Sequence, residues 1–173
     1  MSDVVTSLTP IPVDGLKELG EKNRDNPADK TLTVKTVCEG KFRSLNFARD
    51  LSPFVIDEPP GLLGDNTAPN PSEIVLGAFG SCLAVGLQAN AAARGISLTK
   101  LEITLEGDIN ITSTWGTGEL AKPQIGFTDV RVKVDIDGNA SKEELAEMVA
   151  HANDWSPVSA TLRNPMPVAV EMV

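Results

Sequence analysis

The chain has 173 residues, enough for one domain with a single sizeable core but too few for two. Apolar residues make up 41% and charged residues 23%, which are globular values that exclude a disordered, collagenous or fibrous chain. A formal net charge of −9 repels phosphate backbones and anionic lipid, and therefore argues against nucleic-acid and membrane-surface functions.

Cysteine and histidine are scarce in this sequence. Cys38 and Cys82 are too few for a disulfide scaffold, and His151 alone cannot anchor a histidine-based metal site. Residues 1–6 lack the basic stretch and apolar run of a secretory signal. We therefore expect a reduced, cytoplasmic protein with no metal and no cofactor.

The first thirty residues are polar and punctuated by proline, and we assign 1–30 to an N-terminal arm with a short helix after Pro12. From residue 31 the pattern changes to the period of two that is typical of strands. A strand through Val34 and Cys38 is expected to turn at residues 39–41 into a second strand over 42–48. We assign 31–173 to one domain.

The clearest element is a long helix. Asn70 is a good N-cap, Pro71 suits the first helical position, Glu73 completes a capping box, and Gly95 provides a left-handed stop after Arg94. Apolar and small residues lie on every face, so protein must surround this helix. A membrane span was the alternative for its uncharged stretch, but interruptions by Gly, Ser, Gln and Asn favour the buried helix of a soluble protein.

Alternating apolar and polar residues predict three further strands, over 101–111, 126–136 and 166–172. A second capping box begins a helix at Ser141, and Ser156-Pro157 begins a short one ending near Arg163. The order predicts an α+β fold, with antiparallel sheets wrapped around a long buried central helix. Because one chain supplies few strands to enclose that helix, we expect a homodimer.

Most catalytic motifs are missing from the sequence, and His151 is expected on the polar face of its helix. A free cysteine is usually an inert packing residue, and that interpretation stays open for both cysteines. A reactive thiolate at Cys82 would need positive charge or a helix start from another element. The candidates are Arg43 or Arg49 and the helix that begins at Ser156.

The run from Asn70 to Ala84, NPSEIVLGAFGSCLA, resembles the central helix of the OsmC/Ohr family of thiol-dependent hydroperoxide reductases and their less characterised relatives. The similarity continues through residues 92–96, 101–111 and 156–162. It covers most of the chain from about residue 31, and the N-terminal arm lies outside it.

The resemblance implies an intertwined homodimer with a reactive site at the subunit boundary. In active members the cysteine that matches Cys82 attacks a peroxide and becomes a sulfenic acid, and a second cysteine then closes a disulfide. Ser156 occupies the second position, and a hydroxyl cannot resolve a sulfenic acid. The family's glutamate matches Ser72, so Glu73 is expected to cap the helix instead. Arg43 is our choice for the family's arginine, with a solvated strand residue as the alternative.

Two functions fit these observations. The first is a one-cysteine peroxidase in which Cys82 reduces an organic hydroperoxide or hydrogen peroxide, Ser156 hydrogen-bonds the thiolate, and an external thiol regenerates the cysteine. Cys38 could resolve the sulfenic acid only if its strand lay beside the central helix. The second is a non-catalytic protein that holds a small apolar ligand in the dimer cleft.

Overall fold

The structure is a computed structural model that describes residues 8–111, 114–116 and 125–173. Residues 1–6, which carry the expectation about a secretory signal, lie outside the described part. Within these residues, four α-helices and five strands follow one another in the order α1 (Val13–Asp25), β1 (Val34–Gly40), β2 (Arg43–Ala48), β3 (Phe54–Ile56), α2 (Pro71–Arg94), β4 (Leu98–Asn110), β5 (Gly126–Gly138), α3 (Lys142–Asp154) and α4 (Pro157–Arg163). This order confirms the α+β class.

The chain divides into two compact units. The first unit is Gly20–Gly77, and the second combines the described part of Met1–Leu19 with Ala78–Val173. Helices α1 and α2 each begin in one unit and end in the other. The assignment of 1–30 to an arm and of 31–173 to a single domain stays a prediction.

The first unit contains an antiparallel sheet with the strand order β1-β2-β3. Val34 lies opposite Ala48, and Ser44 lies opposite Ile56. The predicted turn between the first two strands is confirmed, with Lys41 in the left-handed region at a φ of 46°. Both faces of β1 are exposed within the single chain.

Helix α2 has the predicted bounds because both of its ends are specified locally. The amide of Asn70 donates to Glu73 Oε2 and the amide of Glu73 donates to Asn70 Oδ1, each at 2.8 Å, which is the reciprocal pattern of a capping box. Gly95 ends the helix at a φ of 68°, a conformation that costs glycine no Cβ clash.

The length and mean hydropathy of α2 would also allow it to cross a membrane, a property that the core helices of soluble proteins share. In the single chain the buried helix residues are Phe79, Gly80, Leu83, Leu87 and Ala91.

The core of the second unit forms where α2 meets α3 and the inner face of the β4–β5 pair. Its buried members are Leu87, Ala91, Met148 and Ala152. Gly80 permits a close approach of strand to helix, because a Cβ there would lie 2.6 Å from a methyl carbon of Leu105. The outer face of the pair is polar and carries ion pairs such as Lys100 with Asp135 at 2.6 Å. The predicted alternation of these two strands is confirmed.

The third predicted strand, over residues 166–172, is wrong for the single chain, because no strand forms there. A strand requires a hydrogen-bonded neighbour, and within the described residues neither sheet pairs with this segment. Its alternating apolar side chains are exposed instead, with Val170 at 92%.

Candidate active site

Cys82 and Ser156 meet in the second unit, although 74 positions separate them in sequence. Cys82 lies in the middle of α2 and is half-buried, and Ser156 is the N-cap of α4 with 3% of its surface exposed. The hydroxyl of Ser156 donates to the sulfur, with an Oγ–Sγ distance of 3.1 Å. This contact joins two of the three residues that the sequence selected as a site.

A second hydrogen bond fixes the role of this hydroxyl. The amide of Ser159 donates to Ser156 Oγ at 3.1 Å, as expected for an N-cap serine. Because that amide can only donate, the serine oxygen accepts there and its own proton is left for the sulfur. The arrangement therefore provides the sulfur of Cys82 with one hydroxyl donor.

Arg43, the third predicted site residue, lies on β2 in the first unit. Its Nε donates to Glu39 Oε2 at 2.8 Å, and its Nη1 donates to Thr67 Oγ at 2.7 Å. The role of Arg43 toward Cys82 stays a prediction. Arg49 follows the same strand and has a positive φ of 53°.

Thr67 connects Arg43 to a buried carboxylate that the sequence analysis missed. Asp57 is fully buried and accepts hydrogen bonds from the amide and hydroxyl of Thr67 and from the amide of Glu58. These bonds, led by the one from the Thr67 amide, lower the pKa of Asp57 to about 2. The position of Asp57 directly after the apolar residues of β3 was the available signal.

The pKa of Glu58 is shifted in the opposite direction to that of Asp57. Burial, together with the charges of Asp57 and Glu73, raises the pKa of the Glu58 carboxyl. Its buried Oε2 has no hydrogen-bond partner among the residues that the structure describes.

A cavity of about 640 Å³ lies in the second unit, lined by residues that neighbour Cys82 and Ser156 rather than by these two. Phe79 and Leu83, which bracket Cys82 in α2, form part of its wall, and so does Ser159, which is bonded to Ser156. The remaining wall is mainly apolar, and Thr128, Asp129, Asn153 and Arg163 add polar and charged groups. The cavity could hold a small, largely apolar molecule.

The other candidates have structural surroundings. Cys38 is exposed on β1 opposite Ser44, and Glu73 caps α2 as predicted. His151 is exposed, which confirms its predicted position, and its ring stacks on Trp155 with centroids 6.0 Å apart. Within residues 8–111, 114–116 and 125–173, no group of His, Cys, Asp and Glu side chains could hold a metal ion.

A family model described as OsmC-like protein matches residues 64–171, which is more than half of the chain. The chain belongs to the OsmC-like family. The matched region contains Cys82, Ser156 and the whole of α2.

Solved structures of similar fold agree with this assignment. An OsmC-like protein from Mycoplasma pneumoniae is 18% identical with a TM-score of 0.66, and the match covers 79% of this chain and 89% of that one. An organic hydroperoxide resistance protein OsmC from Legionella pneumophila is 22% identical with a TM-score of 0.56, covering 79% and 91%. The organic hydroperoxide resistance protein OhrB of Bacillus subtilis is 20% identical with a TM-score of 0.53, covering 79% and 93%. No curated protein matches the chain.

Proposed function

We propose that this OsmC-like protein is a one-cysteine peroxidase in which Cys82 reduces organic hydroperoxides or hydrogen peroxide. The observation that carries the proposal is the hydrogen bond of 3.1 Å from Ser156 Oγ to Cys82 Sγ, which gives the sulfur a hydroxyl donor from a second element. The mainly apolar cavity of the same unit, which residues next to Cys82 and Ser156 help to line, supports an organic hydroperoxide as the substrate.

The chemistry proceeds in balanced steps. The Cys82 thiolate attacks one peroxide oxygen, a sulfur–oxygen bond forms, and the oxygen–oxygen bond breaks. Sulfur supplies two electrons, and the departing alkoxide takes a proton to leave as an alcohol. An external thiol then condenses with the sulfenic acid and releases water, and a second thiol reduces the mixed disulfide. Arg43 is proposed to supply positive charge to the thiolate.

Peroxide consumption tests this proposal directly. Purified protein mixed with cumene hydroperoxide and dithiothreitol should consume peroxide, and Cys82→Ser should reduce the rate to that of dithiothreitol alone. Cys38→Ser is the matched control and should leave the rate unchanged, because Cys38 is exposed on a different element. Equal rates for the wild type and Cys82→Ser would contradict the peroxidase function.

The second candidate function is a non-catalytic binding protein, which the volume and apolar wall of the cavity favour. In that case Cys82→Ser would leave the binding of an apolar fluorescent probe unchanged, and neither protein would consume peroxide.

We also propose a cytoplasmic homodimer. In the single chain 28% of the most apolar stretch of α2 is buried, and large apolar side chains of β1 and of residues 166–172 are exposed. A second copy of the chain would cover these surfaces.

A further inference from the structure

We propose that Asn153 and Ser159 are positioning residues that hold the Ser156 hydroxyl in the direction of the Cys82 sulfur. This inference rests on the proposed function in one respect: it takes Cys82 to react as a thiolate. It concerns the junction between α3 and α4, where these residues form a closed set of hydrogen bonds.

The junction needs such bonds because α4 is short. A helix of seven residues is marginal in water by itself, so its first turn is not fixed by its own backbone. Ser156 belongs to that first turn as its N-cap. A hydroxyl that must point at a sulfur therefore depends on contacts from outside α4.

Asn153, near the end of α3, supplies these contacts. Its backbone carbonyl accepts from the amide of Ser156 at 3.3 Å, and its side-chain Oδ1 accepts from the hydroxyl of Ser159 at 2.7 Å. One residue thus holds both ends of the first turn of α4. Arg163 adds a weaker bridge, with Nε 3.3 Å from the carbonyl oxygen of Ser159 and Nη2 3.5 Å from that of Asn153.

These bonds determine where the proton of Ser156 goes. Ser159 is 2% exposed, and its position sets the direction of the amide that donates to Ser156 Oγ. With that amide fixed on one side of the oxygen, the hydroxyl proton is left for Cys82. If the Ser159 side chain lost Asn153, the amide could tilt and the hydroxyl could turn away from the sulfur.

The test measures the reactivity of Cys82 by the rate at which iodoacetamide alkylates it at pH 7. All variants carry Cys38→Ser, so that Cys82 is the one cysteine that can react. Ser159→Ala keeps the backbone amide and removes only the side-chain bond to Asn153. We expect it to lower the alkylation rate of Cys82 by roughly 3- to 10-fold, part of what a hydrogen bond to a charged group contributes.

A double-mutant comparison separates positioning from a general structural effect. In a Ser156→Ala background the hydroxyl is absent, so Ser159→Ala should no longer change the alkylation rate of Cys82. Thr161→Ala, at an exposed position of the same helix, is the matched control and should change it in neither background.

Two results would overturn the proposal. One is an unchanged alkylation rate of Cys82 in Ser159→Ala, and the other is the same fall in rate when Ser159→Ala is added to the Ser156→Ala background. Asn153→Ala removes the same hydrogen bond and should have the same effect, so it replaces Ser159→Ala if that variant fails to fold. Because this alkylation assay uses no peroxide, it can succeed while the peroxidase assay fails, and the reverse also holds.

Discussion

The hydroxyl of Ser156 lies 3.1 Å from the sulfur of Cys82, where the family resemblance implies a second cysteine. At this distance a sulfur in place of the hydroxyl oxygen would be close enough to bond with only a small adjustment. We therefore predict that Ser156→Cys, combined with Cys38→Ser, forms an internal disulfide with Cys82 when one equivalent of hydroperoxide is added. Mass spectrometry should show the loss of two hydrogen atoms, and titration should show no free thiol.

The control for this prediction is the Cys38→Ser protein with Ser156 intact. It should accumulate a sulfenic acid at Cys82 that dimedone traps, since no second sulfur is available. A sulfenic acid of equal lifetime in both proteins would contradict the prediction.

A second prediction at the residue scale concerns how the stability of the fold at acid pH depends on Asp57. Its pKa is 3.8 ordinarily and about 2 in the folded protein, so between these values the unfolded state binds more protons. The stabilisation from Asp57 is therefore complete above about pH 4 and is lost as the pH falls toward 2. We expect the urea midpoint of the wild type to fall between about pH 4 and pH 2. The midpoint of Asp57→Asn should be lower than that of the wild type at about pH 4 and should fall less as the pH decreases.

Asp50→Asn provides the comparison, because Asp50 is an exposed carboxylate of the same unit. Its urea midpoint should follow the wild type at every pH. If Asp57→Asn has the pH dependence of the wild type, the hydrogen bonds of Asp57 do not stabilise the fold.

The sequence predicted some of these residues and missed others for a physical reason. Cys82 and Ser156 were selected because a resemblance places a reactive cysteine and its partner at those positions. Asp57 and Thr67 were missed because their contact joins a strand end to a loop residue ten positions later. Such contacts depend on the path of the loop, which local patterns do not specify.

At the scale of elements, prediction succeeded where both ends of an element are specified locally. The bounds of α2 follow from the capping box at Asn70 and Glu73 and from Gly95, and α3 begins with the predicted box of Ser141 and Glu144. The strand over 166–172 failed because a strand also needs a neighbour, which its own alternation cannot supply.

A prediction at the scale of elements concerns Met148, the most deeply buried side chain of helix α3. Met148 is fully buried in the core with Leu87, Ala91 and Ala152. Met148→Ala would leave a cavity there, so we expect the free energy of unfolding to fall by about 2–5 kcal/mol. Urea denaturation measures this value.

Glu147→Ala tests the same helix at an exposed position, and its free energy of unfolding should stay within about 0.5 kcal/mol of the wild type. A loss from Met148→Ala no larger than this would show that the α2–α3 contact contributes little to the core.

At the scale of the whole molecule, the apolar surface of the single chain indicates where a second copy would bind. Residues 166–172 place a large apolar side chain at every second position, as a strand does, yet they pair with no strand among the described residues. Val168, Val170 and Met172 are each more than three-quarters exposed. Pairing with a second copy would form the missing strand and bury these side chains.

We therefore predict that a charge on the apolar face of this segment separates the proposed homodimer. Val168→Glu should yield a monomer by light scattering, because dimer formation would bury an unpaired carboxylate. Ala169→Glu places the same charge one residue later, on the opposite face of an extended segment, and should remain a dimer. A monomeric wild type, or two variants that both remain dimeric, would exclude this face as the interface. A monomer from Val168→Glu together with a dimer from Ala169→Glu would place the apolar face of this segment in the interface between two chains.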